Sequence, residues 1–580
     1  MNIDGYKILE KIGQGGMAQV YKGYQLSLKR PVAIKVLTHH FVDQPDFAQR
    51  FKKESLIIAR LSNPYIIPVI ERGISSNGTP YFVMEYVEGH DLTEVMAKGQ
   101  LDFNRKLDIV SQICKALSYA HRNNVIHRDI KPANIFLDVD GNARVLDFGI
   151  AQYYEDEHNS EHTVVGTVMG TMAYMSPEQR QSATEVTFKS DLYSLGVLMY
   201  KLFTYQDPIG RFKSPEELIP EIPHELSELI LKCLETSPEH RPSSADEIKD
   251  VLLHLLRGAH IHTEQRQRVE KDFKQFELLD VIKEDEHSSV MLFENRSNRK
   301  LIVIKKRPVH DAGFSEAKLL TPLQHPNIVN ILGTSENKKN YILVMEYLNG
   351  GNLQDRLVQT IKWQEFVPLA QQIASGLQFA HHNRIIHGNL RPSNILFDHK
   401  EHIKLTDFGL EEHYSANNQG INWYQLKKEQ ASIKLDIFSC GVIFYQMLVG
   451  NVPVLEEQCF AENIAFKNLP LKLKQLIIQM LVIEPQERIE NFSLVLHQLD
   501  ELLGKSVATT VIPHKPARKK KRKPFFSPVL KKTIYFFILL AALLTLIYFF
   551  ADITEIQYYI EDMFFPAEEI PVEQPNFIDF

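Results

Sequence analysis

Cysteine is scarce and scattered. Cys114, Cys233, Cys440 and Cys459 are the only four, and none stands in Cys-x-x-Cys spacing. That pattern excludes a disulfide framework and a thiolate metal site, leaving reduced packing residues of a cytosolic fold. A secretory leader is also lacking. The opening MNIDGYKILEKIGQGG has no basic stretch followed by an apolar one, so the bulk of the chain is expected to begin and stay in the cytosol. A third absence is local: beyond Lys532 there is no lysine or arginine, while residues 515–532 are strongly basic. Such a jump in charge speaks of a membrane or a nucleic acid, not of a fold.

What is present begins with size. At 580 residues the chain exceeds what one core can organise, and 44% apolar with 24% charged residues is ordinary globular composition. The main feature is an internal repeat. Val32-Ala33-Ile34-Lys35 returns as Ile302-Val303-Ile304-Lys305, and Val83-Met84-Glu85-Tyr86 returns as Val344-Met345-Glu346-Tyr347. Glu54 and Glu316 each stand ten residues before a proline. His127-Arg128-Asp129 aligns with His387-Gly388-Asn389, and Asp147-Phe148-Gly149 with Asp407-Phe408-Gly409. Asp191 pairs with Asp436, and Arg241 with Arg488. Anchors in one order, a domain length apart, mean a tandem duplication.

In each copy, short β-branched and aromatic runs such as Pro80–Met84 predict strands. From about residue 90 the spacing turns helical, as in Leu107, Val110, Ile113, Cys114 and Leu117. Strands first and helices later predict an α+β fold: a β-rich lobe and a helical lobe with a cleft between them, built twice. The expected domains are 1–260 and 273–504, joined by a polar linker at 261–272.

Thr533–Ala551 is an uncharged run of nineteen residues. At about 1.5 Å per residue it would span roughly 28 Å, close to the ~30 Å of a bilayer core. One transmembrane helix is therefore expected, after a basic juxtamembrane segment at 505–532. The positive-inside rule puts both copies in the cytosol and an acidic tail, 552–580, outside, with the membrane lipid as a partner. Nucleic acid binding by Arg518–Lys523 is the competing reading, set aside because a hydrophobic span follows ten residues later. The outer tail is too short for a folded sensor.

Chemistry concentrates in the first copy. Gly13-Gln14-Gly15-Gly16 follows a strand-like segment, and glycines let backbone N–H groups approach phosphate oxygens. Alone this is a weak signal, since such turns also make plain hairpins. Lys35 on a later strand could hold phosphates, with Glu54 as its ion-pair partner. The stretch His127-Arg128-Asp129-Ile130-Lys131-Pro132-Ala133-Asn134 settles the matter. With Asp147-Phe148-Gly149 and Ser176-Pro177-Glu178 it resembles the protein kinase family, over residues 6 to about 256. The combination Gly-Gln-Gly-Gly-Met-Ala with Tyr174–Gln179 looks most like the bacterial, Hanks-type serine/threonine members.

The resemblance implies ATP, with Mg²⁺ or Mn²⁺, and proteins as substrates, including the chain itself. It implies catalytic roles for Asp129, Lys131, Lys35 and Glu54. Nucleotide contacts would come from Ile12, Gly13, Gly15, Gly16, Val20 and Lys35, and from the hinge at Glu85 and Val87. Asn134 and Asp147 would be the metal ligands. Asp191 and Arg241 fall on structural positions. Thr163 and Thr167, after Asp147, are expected phosphorylation sites to be met by Arg128. A homodimer is open, and nucleic acid is not expected as a partner.

The second copy, about 276–503, departs from the pattern. Gly13 and Gly15 map to Lys283 and Asp285, so side chains occupy the place of bare backbone. Asp129 maps to Asn389, an amide that cannot act as a base. Asp407 to Asp436 spans 29 positions against 44 between Asp147 and Asp191, and no Ala/Ser-Pro-Glu remains. A pseudokinase is expected there. Two rivals stand beside an active enzyme. One is a silent membrane scaffold of two kinase folds, which the intact set Lys35, Asp129, Asn134 and Asp147 opposes. The other is a lipid or small-molecule kinase, which the peptide platform at 163–178 opposes.

Overall fold

The protein is described by a computed structural model. It describes residues 3–14, 18–37, 58–75, 78–99, 101–148, 172–181, 185–261, 275–285, 288–308, 324–336, 340–409, 431–456, 459–460 and 463–503, with single positions between 263 and 424. Two compact units emerge: residues 1–262 together with 349–360, and residues 263–348 together with 361–580. The sequence boundaries assign 349–360 to the second domain. Here that segment joins the first unit, because its backbone is hydrogen-bonded by Arg122 and Asn123.

In the first unit, β1 (Tyr6–Gln14), β2 (Ala18–Gln25), β3 (Arg30–Leu37), β4 (Val69–Ile74) and β5 (Pro80–Glu85) form one antiparallel sheet in the order β1-β2-β3-β5-β4. Alternation sorts its side chains into two layers. Val32, Ile34 and Val36 join Tyr81 and Val83 on one face, while Ala33, Leu37, Phe82 and Met84 lie on the other. Lys35 shares the second face, two residues from Ala33. A small sheet follows, made of β6 (Gly89–Asp91), β7 (Ile135–Asp138) and β8 (Ala143–Val145).

The helical lobe is built on α1 (Leu92–Lys98), α2 (Phe103–Arg122), α3 (Phe188–Thr204), α4 (His224–Cys233) and α5 (Ala245–Leu256). Asp102 caps α2 by accepting from the Arg105 N–H, and Leu107, Val110, Ile113, Cys114 and Leu117 are all wholly buried along it. Cys114, Cys233 and Cys440 are buried and unbridged, and burial pushes the Cys233 thiol up to about 12. Cys459 lies outside the residues whose side chains are described.

The second unit repeats the plan. β9 (Phe276–Glu284), β10 (Ser289–Asn295), β11 (Leu301–Pro308), β12 (Ile331–Glu336) and β13 (Asn340–Glu346) form a sheet in the order β12-β13-β11-β10-β9. The register is the same: Val20 faces Gly13 and Lys35, and Val290 faces Lys283 and Lys305. β14 (Ile395–Phe397) and β15 (Ile403–Leu405) precede α7, and the helices are α6 (Trp363–His382), α7 (Ile433–Val449), α8 (Leu471–Met480) and α9 (Phe492–Leu502). On α6 the buried stripe runs Phe366, Ala370, Ile373, Leu377 and Ala380. Phe379 is off this stripe and stacks on His325 with centroids 4.7 Å apart. Among the described residues no helix is long and apolar enough to cross a membrane; Thr533–Ala551 lies outside them.

Candidate active site

The loop between α2 and β7 is held from below by one buried carboxylate. Asp191, on α3, accepts from the backbone N–H groups of His127 and Arg128, each at 2.7 Å, and lies 2.8 Å from His121 Nε2. Burial alone would raise its pKa, but His121 and the backbone donors hold it below the ordinary carboxylate value. Arg128 takes a left-handed conformation at φ +68°, and the Gln179 side chain donates to its carbonyl at 2.8 Å. The loop is thus turned sharply and pinned at His127 and Arg128, the two residues before Asp129. His127 is fully buried, its pKa lowered by desolvation, with its ring 4.7 Å from Phe148.

Above this support the polar residues meet. Lys131 Nζ stands 2.8 Å from Asp129 Oδ2, and the Asn134 amide donates to the Asp129 carbonyl at 2.7 Å and to Oδ2 at 2.9 Å. Those donors keep the Asp129 carboxylate aimed, and Asn134, donating through Nδ2, turns its side-chain oxygen Oδ1 to the role of acceptor. The Leu146 N–H donates to the Asn134 carbonyl at 2.8 Å, and His127 Nε2 lies 2.6 Å from the Leu146 carbonyl, so the residue that follows, Asp147, is fixed beside the loop. Asp147 sits at φ +52° and lies 2.7 Å from Lys35 Nζ. Desolvation pushes its carboxyl up, and the Lys35 charge and hydrogen bond outweigh it, leaving an anion.

The sheet forms an apolar ceiling. Val20, Val87, Tyr86 and Leu146 pack against Ala18, Ala33, Ile67 and Met84. Ala33, Met84 and Leu146 were not singled out from sequence. The signal was there for Ala33, which shares the period-two face of Lys35. Glu85 ends β5 opposite Val32, and Ile12 is 46% exposed on β1 beside Gly13. Gly15, Gly16, Glu54, Thr163 and Thr167 lie outside the described residues, so no geometry is assigned to them.

The donor chemistry fits a hard cation. A carboxylate held ionised and an amide oxygen suit Mg²⁺ or Mn²⁺, which draw the remaining oxygens from phosphate and water. Among the described residues no group of three or more His, Cys, Asp or Glu could hold an ion alone.

Beyond the cleft, Glu178 and Arg241 form a double hydrogen bond at 2.7 and 2.8 Å, and Ser190 also donates to Glu178. The second unit repeats the support and differs at the base position. Asp436 accepts from the N–H groups of His387 and Gly388 at 2.8 Å each, and lies 2.7 Å from His381. Lys305 and Asp407 pair at 2.6 Å. Asn389 stands where Asp129 does, its side-chain oxygen accepting from Arg391 at 2.5 Å.

The family profile described as Protein kinase domain matches residues 6–257 and 276–499. A probable serine/threonine-protein kinase of Clostridium acetobutylicum is 39% identical over 262 residues, covering 43% of this chain and 39% of the relative. Serine/threonine-protein kinase PrkC of Bacillus subtilis is 33% identical over 296 residues, covering 48% of this chain and 45% of the relative. The kinase domain of Mycobacterium tuberculosis PknI matches 44% of this chain and 96% of its own, with 28% identity and a TM-score of 0.37. The match thus spans under half the length of these curated relatives.

Proposed function

Because the chain belongs to the protein kinase family, we propose that its first unit transfers the γ-phosphoryl group of ATP to serine or threonine hydroxyls of proteins, itself included. The observation that carries this reading is the meeting of Asp129, Lys131 and Asn134 on one pinned loop beside the Lys35–Asp147 pair. Phosphoryl transfer needs positioning and charge neutralisation more than covalent chemistry. Asp129 orients the attacking hydroxyl and accepts its proton. Lys131 neutralises charge on the moving phosphoryl group, and Lys35 holds the α- and β-phosphates. Asn134 and Asp147 would hold Mg²⁺ or Mn²⁺, which would supply positive charge against the phosphate oxygens. The glycine loop with Ile12, Gly13, Gly15, Gly16 and Val20 covers the nucleotide, Glu85 and Val87 receive adenine, and Glu54 pairs with Lys35 when the site is assembled.

The second unit is read as a pseudokinase: an amide replaces the base and a lysine replaces Gly13 in an otherwise equal register. A single span at 533–551 anchors the chain in the inner membrane, with both units cytoplasmic and the tail outside. A silent scaffold is the rival reading. The separating experiment incubates the full chain with labelled ATP and Mg²⁺, beside Asp129→Asn. Label on the parent, mapped to Thr163 or Thr167, and a loss of at least ~100-fold in the variant are expected. An unlabelled parent, or a variant as active as the parent, sinks the proposal.

A further inference from the structure

The end of α2 is occupied in a way that phosphotransfer does not explain. Residues 349–360, which follow β13 in sequence, belong to the first unit and are gripped along their length. Arg122, the last residue of α2, donates to the Asn349 carbonyl at 2.9 Å and to Asp246 on α5 at 2.6 Å. The Asn123 amide donates to the Asp355 carbonyl at 2.5 Å, and the Gln359 amide returns a bond to the Asn123 carbonyl at 2.7 Å. Asn349 donates to Asp250 at 3.1 Å, and Arg60 to the Val358 carbonyl at 3.4 Å. Within the segment, Leu353 is fully buried and Leu357 nearly so.

Two comparisons show that this seat is special to the first copy. Asn123 is 1% exposed, whereas its counterpart Asn383, at the end of α6, is exposed. Arg122 and Asp246 correspond to His382 and Ser493, so the charged grip has no equivalent in the second copy. The segment differs too. Its counterpart in the first copy forms α1, capped by Asp91, whereas 349–360 keeps only a short 3-10 turn at Gln354–Arg356. It is a turned segment that presents the carbonyls of Asn349, Asp355 and Val358 to side-chain donors.

We propose that Arg122, Asn123 and Asp250 form a docking seat whose ligand is the chain's own segment 349–360, and that filling the seat steadies the loop carrying Asp129. The relay is short. His121 precedes Arg122 on the last turn of α2 and contacts Asp191, which holds the N–H groups of His127 and Arg128. Arg122 and Asn123 are positioning residues, since neither touches the phosphotransfer groups. Docking itself does not depend on the proposed activity, and it is read here without activity.

The test is amide hydrogen exchange of the full chain, at two protein concentrations, for the parent and two variants. Arg122→Ala removes the anchor. Gly351→Ala keeps the anchor but adds a methyl, on a residue at φ +73°, only 2.5 Å from the Arg122 guanidinium. The parent should protect 353–359 at both concentrations. Each variant should speed exchange in 353–359 and in 125–130 by about tenfold or more, with β1–β5 unchanged. Rapid exchange of 353–359 in the parent, or protection retained in both variants, overturns the proposal. So does a response of 353–359 without one in 125–130, because the relay then fails. Protection only at the higher concentration overturns the intramolecular assignment and gives the seat to a second copy. Loss of phosphotransfer activity with normal exchange would count against the proposed function alone.

Discussion

Glu178 places both carboxylate oxygens on one guanidinium that is itself fully buried, and this pair ties the segment around Ser176-Pro177 to the end of the helical lobe. Burial pushes the Glu178 carboxyl up, but the hydrogen bonds from Arg241 and Ser190 outweigh it and lower its pKa from 4.5 to about 2. A depressed carboxylate contributes its full stability above its unfolded value and loses it as pH falls toward the folded one. The difference corresponds to ~3 kcal/mol for the first unit at neutral pH, lost between about pH 4.5 and pH 2. Glu178→Gln should therefore destabilise the protein by about 3 kcal/mol near pH 7, because a buried guanidinium loses its counter-charge. It should also flatten the fall in stability between about pH 4.5 and pH 2. Urea melts of the full chain across that range measure both. A variant that follows the parent's acid slope would show that the pair does not govern this transition.

At the scale of elements, the same helix contact is built twice around a glycine. A Cβ added at Gly196 on α3 would stand 2.7 Å from Cys233 Cβ on α4, and one at Gly441 on α7 would stand 2.8 Å from Met480 Cβ on α8. Both neighbours are side-chain roots and cannot swing away. Gly196→Ala and Gly441→Ala should each destabilise their unit by about 1–2 kcal/mol, overpacking outweighing the ~1 kcal/mol gain in helix propensity. Thermal melts should show the loss, and a raised melting temperature would contradict the packing argument. Such glycines were not legible in the sequence, because a close approach depends on which helix arrives opposite. What was legible had local cause. The return of Val32-Ala33-Ile34-Lys35 as Ile302–Lys305 marked the strand that carries Lys35, and the spacing on α2 gave its buried stripe. The pinned loop was readable as His127–Asn134, but Asp191's grip on two N–H groups is a tertiary fact. So is the seating of 349–360, which sequence spacing assigned to the other copy.

For the whole molecule, the duplication sets a question that either unit alone does not answer: where the pair is held. The repeat ends by about residue 503, and the next 29 residues change from ordinary composition to a dense basic stretch. Nineteen uncharged residues follow, and then a tail without lysine or arginine. A cationic cluster on one side of an apolar run gains from anionic lipid headgroups and from orientation, whereas a nucleic-acid-binding tail has no use for the apolar run. Two attractions of different kind would act together, and salt separates them. Electrostatic adsorption weakens as ionic strength rises, but insertion of nineteen apolar residues does not. The full chain should thus sediment with membranes and remain there through high salt and alkaline carbonate, leaving only with detergent. A chain ending at residue 504 should be soluble, and replacing Lys519, Lys520 and Lys521 by Gln should leave membrane retention intact while weakening the cytoplasmic bias of the flanking segment. Protease added outside should reach 552–580 and spare both units. Release of the full chain by salt alone would show that the basic stretch does the holding, and the anchor would have to be abandoned.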